Sequence, residues 1–144
     1  MPETDKGYRG FYEDLVEKVQ DYEGRRQRTI RLAPKFFKLM TNLLEDRKTP
    51  KEARSLISSA IAYFVVPRDV IPEKVFGPLA LIDDVFVCLH VTKKLSGMMD
   101  NEWVSTHWEG DESLVDLVDE LYPLAEKYVG HAKEKILNYV GLDS

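Results

Sequence analysis

Pro67-Arg68-Asp69-Val70-Ile71-Pro72-Glu73, followed by Gly77-Pro78 and then by Asp83-Asp84, joins the two most apolar segments of the chain. Before it, Ala60-Ile61-Ala62-Tyr63-Phe64-Val65-Val66 has no polar face. After it, the run from about Leu79 or Ala80 to Leu95 is apolar nearly all round. Helices hydrophobic on every side are buried, so both segments are expected inside the molecule. Pro67 stops the first, because the residue before a proline is pushed out of helical geometry. Prolines and a glycine then specify rigidity across 67–79, and the two helices close into an antiparallel hairpin, about 53–97, at the centre of a bundle.

The hairpin places four carboxylates, Asp69, Glu73, Asp83 and Asp84, at one of its ends. Adjacent helical residues point about 100° apart, so at least one of Asp83 and Asp84 must face protein. An ionised carboxylate in a dry interior costs several kcal/mol unless donors or a cation meet it. Three compensations are available: backbone N–H groups of the proline loop, a basic side chain such as Arg68, Lys74 or an arginine of 25–31, or a bound Mg²⁺, Mn²⁺ or Ca²⁺ ion. The structural reading comes first, since carboxylates beside prolines and at a helix start tie down loops and complement the dipole. No resident cofactor is expected. A metal-binding domain or metal-dependent enzyme using these four groups is the alternative.

Outward from the hairpin, Thr49-Pro50-Lys51-Glu52 marks a helix start, with Thr49 placed to cap and Glu52 to reach back. Upstream, Phe11, Leu15, Val19 and Tyr22 give one amphipathic face over 7–24, which Gly24 ends or bends. Pro34 suits the first turn of a helix carrying Phe36, Phe37, Met40, Leu43 and Leu44. These N-terminal helices span 7–48. Downstream, Lys93-Lys94 fall in the last turn before Gly97, a C-cap candidate, and Asp100 caps a segment holding Trp103 and Trp108. Leu114, Leu117, Val118, Leu121, Leu124, Ala125 and Tyr128 follow at helical spacing. Pro123 lies within that pattern and predicts a kink or two helices. A final helix runs from His131 to Val140, so that C-terminal helices span 100–141. Nothing alternates with period two for long enough to form a strand. The fold class is all-α, one domain over 1–144 with about six helices.

Net charge is −5 and the pI near 5.3, opposite to the basic face that phosphate contacts need, so no nucleic-acid partner is expected. Arg25, Arg26, Arg28 and Arg31 form a local basic cluster, read as a solvated junction or as a contact for an anion or acidic lipid. Trp103, His107 and Trp108 pack as a lid or present a surface to a partner. The single cysteine, Cys88, lies in an apolar run and behaves as a small hydrophobe. With no secretory signal evident at Met1–Lys6, it points to the cytoplasm. The candidate spans are too short, or are broken by Gly77-Pro78 and Asp83-Asp84, to cross a membrane. Asp83, Cys88 and His90 fall short of a four-ligand metal shell. No nucleophile elbow, phosphate-binding glycine loop, paired CxxC or HExxH occurs, so the residues lean away from an enzyme.

Tyr63, Pro67, Asp69, Ile71, Pro72, Glu73 and the pair Asp83-Asp84 together resemble the signature of the YkvA-like domain of unknown function, a family of small helical bacterial and archaeal proteins. Two departures, Gly77-Pro78 near the family's second loop proline and Ala80 where glycine often precedes the acidic pair, imply a differently shaped loop end. The resemblance implies a helical hairpin and no established activity. Because some relatives are membrane-linked, it also keeps a peripheral membrane role beside that of an interaction or scaffold protein.

Overall fold

Residues 2–65 and 81–139 are described by the structure, a computed structural model, with the backbone alone at 2–9, 131 and 139. They form α1 (Pro2–Val19), α2 (Gln27–Arg31), α3 (Ala33–Glu45), α4 (Lys51–Val65), α5 (Leu81–Met98), α6 (Asn101–Ser105), α7 (Leu114–Val129), a 3-10 turn (Gly130–Ala132) and α8 (Lys133–Tyr139). The chain is an all-α single domain, and the described residues contain no strand.

The all-round apolar composition of α5 makes it the axis of the bundle. Twelve of its eighteen residues are buried, and it packs against α2, α3, α4, α6, α7 and α8. The N-terminal side is closed by three rings, one from each of α1, α3 and α4. Phe11 meets Phe37 at 4.9 Å between centroids, and Phe37 meets Phe64 edge-on at 5.3 Å. Leu15 and Val19 complete the buried face of α1.

The corner between α3 and α4 is built on backbone carbonyls. Arg54 reaches back from α4 and donates from Nε to Thr49 O at 3.1 Å, from Nη1 to Leu44 O at 2.8 Å and from Nη2 to Asp46 O at 2.8 Å. These are the carbonyls that the end of a helix leaves without intrahelical partners, and the turn that follows it. The Thr49 hydroxyl, expected to cap α4, instead donates to Leu43 O at 2.6 Å.

Three further expectations are corrected, and a fourth, at Pro123, is narrowed to its one-helix alternative. The first helix ends at Val19 rather than Gly24, and Tyr22 lies beyond it, its hydroxyl donating to Arg25 O. Gly97 lies inside α5, which runs a turn further to Met98, so Lys93 and Lys94 are not in the last turn. The second half of α4 is not buried on every side: Ala62 is exposed and Val65 is 45% exposed. A folded surface remains more than half apolar, so lack of a polar face does not by itself enforce burial. Pro123 sits within one continuous helix, α7. It is exposed, as is Asp119 four residues earlier, so water can reach the carbonyl that the missing N–H leaves free.

Candidate functional site

Asp83 and Asp84 occupy the first turn of α5, where carboxylates complement the positive end of the helix dipole. Both face protein, at 0% and 2% exposure. The Tyr63 hydroxyl, projecting from α4, donates to Asp83 Oδ2 at 2.9 Å. The compensation anticipated for this carboxylate was a backbone N–H, a basic side chain or a cation; a phenol on the facing helix is a partner the sequence reading did not name. Tyr63 was legible as part of the signature, but periodicity on α4 gave no sign that its hydroxyl would turn to Asp83. Asp69 and Glu73, and the cationic candidates Arg68 and Lys74, lie outside the described residues. Among the described residues no group of three or more His, Cys, Asp and Glu side chains is placed to hold a metal ion.

One turn along α5, Cys88 is wholly buried. Burial pushes its thiol well above the ordinary range, and the nearby Asp84 pushes in the same direction. Thr92 donates to the Cys88 carbonyl at 2.7 Å. His90 is half-buried against α7, its Nδ1 3.0 Å from the Tyr122 hydroxyl and its ring stacked on that of Tyr122. Its Nε2 is buried, with no hydrogen-bond partner among the described residues. Burial first, then Lys94, Lys133 and Lys93, lower the proton affinity of His90, against a smaller opposing pull from Glu126. Lys133 is paired with Glu126, and the Lys93 ammonium lies over the Tyr122 ring, 4.3 Å from its centroid.

The arginines of the cluster are all exposed, and three of them are engaged with neighbouring groups. Arg28 pairs with Glu120 and Glu112, bridging α2 to α7 and the segment before it. Arg31 Nε donates to Tyr22 O at 2.8 Å, and the Arg26 guanidinium sits over the Tyr128 ring. Arg26 also holds the left-handed conformation, φ 57° and ψ 31°, at the start of α2. The Arg25 backbone carbonyl accepts from the Tyr22 hydroxyl at 2.9 Å.

Trp103, His107 and Trp108 are half-buried, and both tryptophans pack against the core. Trp108 stacks at a tilt on Phe36, centroids 4.9 Å apart, and Trp103 meets His107 edge-on at 4.6 Å. His107 Nε2 lies 2.7 Å from Asp46 Oδ2, and its Nδ1 lies 3.0 Å from Trp103 O. The Lys48 backbone N–H and then His107 draw Asp46 below the usual carboxylate range. This partnership spans 61 residues, and no sequence spacing could have announced it.

Comparison with known proteins agrees with the placement of this hairpin. The model of the family described as "Protein of unknown function (DUF1232)" matches residues 53–89, which run from α4 into α5. An "Uncharacterized protein ORF9" from Methanothermobacter thermautotrophicus is 30% identical over 136 residues, covering 94% of this chain and 84% of its own. No solved structure matches the chain. With a relative this similar along nearly the whole chain, and the family's residues falling on the helices that hold Tyr63, Asp83 and Asp84, the chain belongs to the DUF1232, or YkvA-like, family of small helical proteins.

Proposed function

We propose that the chain is a non-enzymatic interaction or scaffold domain, in which the acidic residues of the central hairpin serve to hold it shut. The observation that carries this reading is the 2.9 Å bond from Tyr63 to Asp83, a carboxylate with no solvent exposure. A side chain committed in this way ties α4 to α5 and is withheld from any substrate arriving from water. Cys88, too deeply buried to act as a nucleophile, supports the same reading. A cytosolic setting belongs to it, supported by that single reduced, buried thiol. Among the described residues no helix is long and apolar enough to cross a membrane.

A second reading is favoured by one feature: two consecutive carboxylates, both buried, opening the same helix. With Asp69 and Glu73 they would supply the all-oxygen set that Mg²⁺, Mn²⁺ or Ca²⁺ prefers. One experiment separates the two. Asp83→Asn should lower stability by about 1–3 kcal/mol in a urea melt, and calorimetric titration of the unaltered protein with each cation should give no heat. A variant as stable as the parent would overturn the scaffold reading; heat abolished by Asp83→Asn would establish the metal reading.

A further inference from the structure

Between the C-terminal half of α5, α6 and the start of α7 lies a cleft of about 170 Å³. Its floor is apolar, made by Val104, Leu114 and Val118, all buried. Lys93 and Asp119 both line it, together with the hydroxyl-bearing Ser96 and Ser105. Lys93 comes from α5 and Asp119 from α7, and both are exposed. They are not ion-paired to each other, and among the described residues neither pairs with any other charged side chain. The Lys93 ammonium instead rests on the face of Tyr122, one helical turn beyond Asp119 on α7.

Each property of the cleft restricts the ligand. A drug-sized molecule needs roughly 300–1,000 Å³. A cavity of about 150 Å³ takes benzene, so an occupant here has only a few more heavy atoms than that ring. A bare anion would meet the Asp119 carboxylate as well as Lys93. A metal ion would find one carboxylate and an ammonium. A plain hydrocarbon would leave two charges and two hydroxyls facing it. A molecule carrying one charge of each sign and a short aliphatic arm satisfies all of them together. We infer that this cleft binds a small zwitterion of the branched-chain α-amino-acid class, its carboxylate on Lys93, its ammonium on Asp119 and its side chain on Val104, Leu114 and Val118.

The test is an amide-resolved NMR titration with L-leucine, N-acetyl-leucine, which has lost the ammonium, and 3-methylbutylamine, which has lost the carboxylate. Leucine should shift amides of α5, α6 and α7 around the cleft, and each analogue should bind about tenfold more weakly. Lys93→Met should erase the preference for leucine over the amine, and Asp119→Asn should erase the preference over the acetylated acid. Both positions are exposed, and the same spectra report that each variant is folded. Absence of shifts at tens of millimolar leucine, equal binding of the three compounds, or preferences unchanged in the two variants would overturn the assignment.

Discussion

Tyr63 brings a neutral donor to a buried carboxylate, and its removal leaves Asp83 Oδ2 without that bond at a site water does not reach. Tyr63→Phe keeps the ring and deletes only the hydroxyl, so the expected loss is about 1.5–3 kcal/mol, the range for a hydrogen bond to a charged group. Chemical denaturation measures it; an unchanged midpoint would mean that the bond contributes nothing. His90 supplies a pH dependence of known sign. Because burial and then Lys94, Lys133 and Lys93 depress its proton affinity, the unfolded chain takes up a proton more readily than the folded one. Stability from His90 is therefore complete above its unfolded value near about 6.5 and is lost as pH falls through that value toward the lower, folded one. The melting temperature should drop on acidification from neutral pH, and His90→Gln should flatten the drop. A variant with the parent's slope would exclude His90 as the cause. At this scale the sequence was partly readable: Cys88 as a buried small hydrophobe follows from its apolar surroundings. The partner of His90 was not readable, since Tyr122 lies 32 residues away and only the packed helices bring them together.

Among the elements, α7 keeps an interior proline that local propensity says should break it. Its buried face, Leu114, Leu117, Val118, Leu121, Ala125 and Val129, runs unbroken past Pro123 and packs on α5. Tertiary burial therefore outweighs a local penalty of about 3 kcal/mol. Pro123→Ala should restore the missing N–H to the helix and raise stability by about 1–3 kcal/mol in a urea titration; a neutral result would show that α7 has relaxed around the proline at no cost. Helix ends were the least readable feature. Gly97 stays within α5 although glycine favours ends, because Met98 and the turn to Asp100 follow without need of a left-handed residue. The short α2 was missed altogether, since Gln27–Arg31 has one isolated apolar residue, Ile30, and no periodicity from which to infer a helix. By contrast Asp100 does cap α6, accepting from the Glu102 N–H at 3.3 Å, because a polar cap needs only local chemistry.

For the molecule as a whole, the absence of a polar face on α5 was the decisive signal: a helix that can turn no side to water becomes the one the others surround. Cys88, at the middle of that helix, becomes a reporter of global opening. The thiolate is the reactive form, and burial disfavours it. Iodoacetamide should therefore leave the native protein unlabelled over hours and modify it at the rate of global unfolding in urea, read by mass spectrometry; labelling within minutes in buffer would show that α5 is not the centre of a cooperative unit. The family's hairpin was legible because it is contiguous in sequence, whereas the cleft walled by α5, α6 and α7 was not, being assembled from three separated segments. The corner held by Arg54 has a different implication. One planar fork reads three carbonyls drawn from 44–49, and lysine, a single ammonium without that planar spread, could not span them. The connection between α3 and α4 is thus of fixed length: a residue inserted there would pull a carbonyl off the fork.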